Sequence, residues 1–147
     1  MSAIAELRIV TVEAAGRIAG AGDEGQAILD ELAPDVLELD ASGYCVVLVL
    51  DSLGDMPAVR RAEEHGLAMQ LTQKGVVYWA FDATNAAEVV GALREGKADA
   101  ATLRAHAEKS TQEDWSEGVD QLVHTAQALE RSLGGVTEGT LGVLMVG

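Results

Sequence analysis

The sequence predicts an α+β protein with a ferredoxin-like core, and three observations carry that expectation. Four short segments rich in β-branched and apolar residues punctuate the first 83 positions: "LRIVTV" (7–12), "DVLEL" (35–39), "YCVVLVL" (44–50) and "VVYWAF" (76–81). Only "DASG" separates the second from the third, and a parallel crossover needs a dozen or more residues, so these two are expected to pair as an antiparallel hairpin. Helical periodicity fills the two longer gaps, which gives the order βαββαβ. Residues 1–83 form this expected core, and residues 84–147 a helical extension ending in a short strand.

The first strand candidate, 7–12, leads into "EAAGRIAGAGDEG". Gly20, Gly22 and Gly25 spell G-x-G-x-x-G, and Asp40 follows Gly20 by twenty residues. In a dinucleotide site a buried strand runs directly into the first glycine, because backbone N–H groups must meet the pyrophosphate there. Here seven residues intervene, and Asp23 and Glu24 stand where their charge would oppose a phosphate. The stretch therefore reads as an entry into a helix, with Asp23 as N-cap, Gln26 completing a capping box, and Ile28, Leu29 and Leu32 on the apolar face. Pro34 ends that helix. No cofactor is expected.

After the hairpin, Asp55 is placed to cap a second helix, Pro57 suits its first turn, and Val59, Ala62, Gly66 and Met69 share one face. The fourth strand, 76–81, completes the core. Beyond Asp82 the pattern turns helical: Asn85 with Glu88 opens one helix to about Glu95, a second covers about 99–109, and Ser110 with Glu113 marks a third. In the third, Trp115, Val119, Leu122, Ala126, Leu129 and Leu133 recur at spacings of four and three, the seam of a helix that packs on its own sheet or on a partner. "GG" (134–135) ends it, and "TLGVLMV" (140–146) is apolar enough to need a sheet edge in this subunit or a neighbour.

Composition narrows the functional classes. At 147 residues and 48% hydrophobic content the chain suits one domain with a proper core. Its net charge is -14, with three lysines and seven scattered arginines, so nucleic acid and anionic membranes are repelled. Solubility or a basic protein partner accounts for such acidity. Cys45, the one cysteine, cannot form a disulfide within the chain and suits an apolar filler. The N-terminus lacks the basic start and apolar stretch of a signal peptide, and no apolar run reaches the roughly 18 residues of a membrane helix, so a cytoplasmic location is expected.

Chemistry-bearing residues are few. Asp51 and Asp82 each follow a predicted strand, with Asp55 close by, and carboxylates clustered at such an edge could hold Mg²⁺ in a small metal-dependent enzyme. The same residues are ordinary helix caps and turn formers. His65, His106 and His124 have no His or Cys at ligand spacing, and no G-x-S-x-G is present.

Two resemblances bear on function. "GDMPAVRRAEEHG" (54–66), with "VEAAG" (12–16) upstream and "GVVYWAF" downstream, resembles the pattern of bacterial microcompartment shell domains over about residues 12–82. That resemblance implies a ferredoxin-like core and a homohexamer-forming or related assembly protein. "AGDEGQAILDELAPDVLELD" looks like the helix and acceptor strand of a response-regulator receiver, with Asp40 at the acceptor position. It implies a degenerate, interaction-only regulatory domain. The leading expectation is a non-catalytic, self-associating structural or assembly protein. It is expected to be a homo-oligomer with room for a protein partner, using the Trp115–Leu133 seam and the apolar tail as interaction elements. The metal-dependent enzyme and the receiver-like domain are the alternatives.

Overall fold

The computed structural model describes residues 4–33, 36–73, 75–96 and 98–147, with the backbone alone described at residues 38, 40 and 41. It is a mixed α+β fold. Strand β1 (Ile4–Thr11) leads into helix α1 (Val12–Gly20), a 3₁₀ turn (Gly22–Glu24) and helix α2 (Gly25–Leu32). Strand β2 (Leu37–Ser42) is followed by α3 (Gly43–Ser52), α4 (Pro57–Glu63) and α5 (Gly66–Leu71). Strand β3 (Val77–Asp82) is followed by α6 (Ala83–Arg94), α7 (Ala100–Thr111) and α8 (Val119–Leu133), and strand β4 (Thr140–Val146) closes the chain.

The sheet has the order β2-β1-β4-β3, and every neighbouring pair is antiparallel. The last strand therefore lies inside the sheet. It pairs with β1 from Ala5↔Val146 to Thr11↔Thr140, and with β3 from Val77↔Val146 to Asp82↔Leu141. Side chains alternate along each strand, so the sheet feeds two cores. Leu7, Trp79, Phe81, Leu144 and Val146 meet α3, α4, α6, α7 and α8 on one face. Val10, Tyr78, Ala80, Leu141 and Val143 meet α1, α2 and α5 on the other.

This arrangement corrects the expected βαββαβ order at one element. "YCVVLVL" is helix, not strand, so no hairpin joins it to β2. Ser42 caps the helix by accepting a hydrogen bond from the Cys45 amide at 3.2 Å. Val46, Leu48, Val49 and Leu50 are buried around most of its circumference, against α7, α8 and the sheet. A short continuous apolar run suits a buried strand and a buried helix equally, and here the cap decides. Residues 84–147 are likewise no appendage, because β4 pairs with β1 and α8 packs on β2.

The glycine-rich stretch is a helix break. Gly22 adopts φ +60, in the left-handed region that glycine tolerates. A Cβ on Gly25 would meet Gln70 Nε2 at 3.0 Å and the Ile18 carbonyl at 3.3 Å. Gln70 donates to the Ile18 carbonyl at 2.9 Å and to that of Gly22 at 3.1 Å, stitching α5 to the break. The Asp23–Gln26 capping box does not form: Asp23 lies in the 3₁₀ turn, and α2 has no side-chain cap. Gln26 is drawn instead into a polar network over the sheet. Arg8 pairs with Asp30, Gln26 donates to Asp30 Oδ1 at 3.0 Å, and the buried Tyr78 hydroxyl donates to Gln26 Oε1.

Further caps also differ from expectation. Asp82 caps α6 and Asp99 caps α7, accepting from Asn85 N at 2.7 Å and Thr102 N at 2.8 Å. Met56 rather than Asp55 precedes α4, and His65 caps a separate α5, so the expected single helix is two. Ser110 and Thr111 end α7 instead of opening the last helix, since Gln112 turns left-handed and α8 starts at Val119.

Burial raises the Tyr78 hydroxyl above its ordinary pKa of 10.0, and the Asp30 charge adds to the shift. The unfolded chain then ionises first, so this stabilisation is complete below pH 10.0 and is lost as pH rises toward the folded-state value. Tyr78→Phe is predicted to cost about 1 kcal/mol at neutral pH, by leaving Gln26 without its donor. It is also predicted to flatten the alkaline loss of stability; urea titrations of both proteins between pH 8 and 11 measure both effects.

Candidate functional site

The surface that stands out is built by α3, because the helical turn brings residues three and four apart together. Tyr44, Val47 and Asp51 share one face, with Tyr44 49% and Val47 36% exposed. The first residue of β3, Val77, is 41% exposed and contributes a third apolar side chain. Between α3, α4 and β3 opens a cavity of about 180 Å³, floored by Leu50, Val59 and Trp79, with Asp51 and Glu63 at its exposed margin. Tyr44 also stacks in a tilted geometry on Trp115, with ring centroids 6.1 Å apart, which fixes the upper end of the patch.

Trp79 is only 6% exposed and lines this cavity. Its indole N–H has no hydrogen-bond partner among the described residues, yet no side-chain nitrogen among them is both buried and unsatisfied. The N–H therefore retains contact with solvent. Glu63 has no ion-pair partner among the described residues. The margin thus carries two carboxylates around an apolar floor.

Asp51 is engaged on its outer side. Its Oδ2 lies 2.8 Å from His106 Nε2, and Ser110 Oγ lies 3.2 Å from the same nitrogen. A nucleophilic relay needs the serine and the carboxylate on opposite ring nitrogens, so that a proton taken at one is supported at the other. With both on Nε2 the cluster orients His106 and does not activate Ser110.

The expected carboxylate metal site at Asp51, Asp55 and Asp82 does not assemble. Asp51 ends a helix rather than a strand, Asp55 lies in the turn before α4, and Asp82 is occupied as the α6 cap. Among the described residues no three His, Cys, Asp or Glu side chains are grouped to hold a metal ion. The interaction seam is also relocated. Leu122, Ala126, Leu129 and Leu133 are buried in the chain's own core, as is Trp115 ahead of the helix, and Val119 is partly exposed at its first turn. The apolar tail is the interior strand β4. Asp40 lies on β2, and its side chain is outside the described residues. Tyr44, Val47, Glu63 and Trp79 were not distinguishable beforehand; the one signal was the helical spacing of Tyr44, Val47 and Asp51 inside "YCVVLVLD".

No helix among the described residues is long and apolar enough to cross a membrane. No family model matches the chain, and no curated protein matches it. Among solved structures it is similar to YfbM, a protein of unknown function from Escherichia coli, with a TM-score of 0.57 at 15% identity, covering 98% of this chain and 99% of that one. The likeness concerns the fold alone.

Leu129 discriminates between a core helix and an interface helix. Leu129→Ala is predicted to lower unfolding free energy by about 2–5 kcal/mol, through lost burial and a cavity, while the mass in solution stays unchanged. Denaturant titration and sedimentation equilibrium give the two readings.

Proposed function

We propose that this protein is a non-catalytic interaction module whose binding surface is the Tyr44–Val47–Val77 patch around the α3/α4/β3 cavity. The observation that carries this reading is the size and make-up of that cavity. At about 180 Å³ it is well below the ~300–1,000 Å³ of small-molecule sites, and it suits a single inserted side chain. Exposed Val47 and Val77 line it, and Tyr44 follows one turn away along α3, as suits an anchor pocket at a protein interface.

Both family resemblances point toward association rather than chemistry, the shell-domain pattern to assembly and the receiver pattern to a regulatory contact. The seam on α8 and the tail cannot serve such contacts while they fill the core, so the association surface moves to α3 and β3. Homo-oligomerisation through this patch would bring together two chains of charge -14, which disfavours a second copy relative to a less acidic partner. The same charge disfavours nucleic acid.

Val47→Arg places a bulky cation on the patch without touching the core. It is predicted to reduce recovery of co-purifying protein at least about tenfold, as expected when an interface anchor is lost, with melting temperature unchanged. Met69→Glu, on α5 across the sheet and 64% exposed, is predicted to have no effect. Identical co-purification profiles for the wild type and Val47→Arg would remove the patch from consideration.

A further inference from the structure

We infer that the cavity is a receptor for a basic side chain, and that its occupant is a lysine- or arginine-bearing segment of another protein. This rests on the interaction reading above and specifies its partner.

Two features of the site select that chemistry. The floor of Leu50, Val59 and Trp79 is apolar and aromatic, which suits the methylene stem of Lys or Arg and, on the indole, the cation itself. The margin holds two carboxylates, Asp51 and Glu63, of which Glu63 has no ion-pair partner among the described residues. An apolar side chain would leave Glu63 without an ion-pair partner, whereas an ammonium or guanidinium supplies donors to both carboxylates. One ligand thus meets both requirements: a basic side chain whose stem lies along the floor while its charged end reaches the acids.

His106 fixes the direction of approach. Its contact with Asp51 Oδ2 occupies one side of that carboxylate, so an incoming cation meets Asp51 from the cavity side. The remainder of the chain acts at longer range. Arg8, Arg17, Arg61, Arg94 and Arg104 are each paired with a carboxylate of this same chain. The net charge of -14 attracts basic segments in a salt-dependent manner.

The test uses the full chain, ¹⁵N-labelled, titrated with N-acetyl-arginine N-methylamide and separately with the norleucine analogue, which keeps the stem and the carbonyl but lacks the charge. The arginine probe is expected to shift the Trp79 indole resonance and the amides of Val47, Asp51, Glu63 and Val77. The norleucine probe should bind at least several-fold more weakly. Glu63→Gln, at an exposed position, should weaken arginine binding by about twofold to fivefold, the range for a solvent-exposed ion pair, and Asp51→Asn by a similar factor. Equal shifts from both probes would overturn the assignment to a cation and leave the interaction module standing. No shift of the Trp79 indole signal with either probe would overturn the cavity as a receptor, whatever the Val47→Arg experiment shows.

Discussion

The rest of the molecule depends on one insertion, that of Thr140–Val146 between β1 and β3. Until this strand arrives, β1 has a single partner in β2 and β3 has none. Both cores also need it, because Leu144 and Val146 complete one face and Leu141 and Val143 the other. The insertion is tight. A Cβ on Gly142 would meet Val136 Cγ2 at 2.6 Å and Leu7 Cδ1 at 3.4 Å, so only glycine lets the turn after α8 fold back over the strand. The cost is kinetic, since β1 and β4 lie at opposite ends of the chain and their pairing closes a very long loop.

The cap and tertiary burial together explain why α3 is a helix. "YCVVLVL" follows β2 directly, and from Gly43 it leaves the sheet and buries itself above the strands. A largely apolar helix is stable only when most of it is covered, and α7, α8 and the sheet cover all of this one but the Tyr44–Val47–Asp51 face. The local sequence agrees once the cap is seen: Ser42 holds the Cys45 amide, and the remaining first-turn groups follow. The cap and the surrounding apolar contacts thus act together, one local and one set by the whole fold.

That coupling sets what could be read in advance. Three of the four strands were legible from β-branched content near their true positions, and β4 from its apolar run, because those signals are local. The topology was not, since it turned on α3, where an apolar stretch with no polar punctuation carries no period. The same ambiguity hid the site. As a strand, "YCVVLVLD" would place Tyr44 and Val47 on opposite faces; as a helix it sets Tyr44, Val47 and Asp51 on one. Trp79 was visible as a strand residue and Glu63 as one acid among several, but their convergence with Val59 depends on how α4 crosses β3. His106 lies 55 residues from Asp51, beyond any spacing rule.

Acidity and the exposed patch make sense only together. Tyr44, Val47 and Val77 would invite indiscriminate association on a neutral protein, since exposed apolar area attracts any similar surface. A charge of -14 opposes the approach of identical or other acidic chains, yet leaves the patch open to a basic one. Specificity then comes from a penalty on wrong partners as much as from contacts with the right one. The close placement of Asp51 and Glu63 beside the apolar floor applies the same rule at short range: an uncharged side chain can fill the cavity but cannot answer its margin.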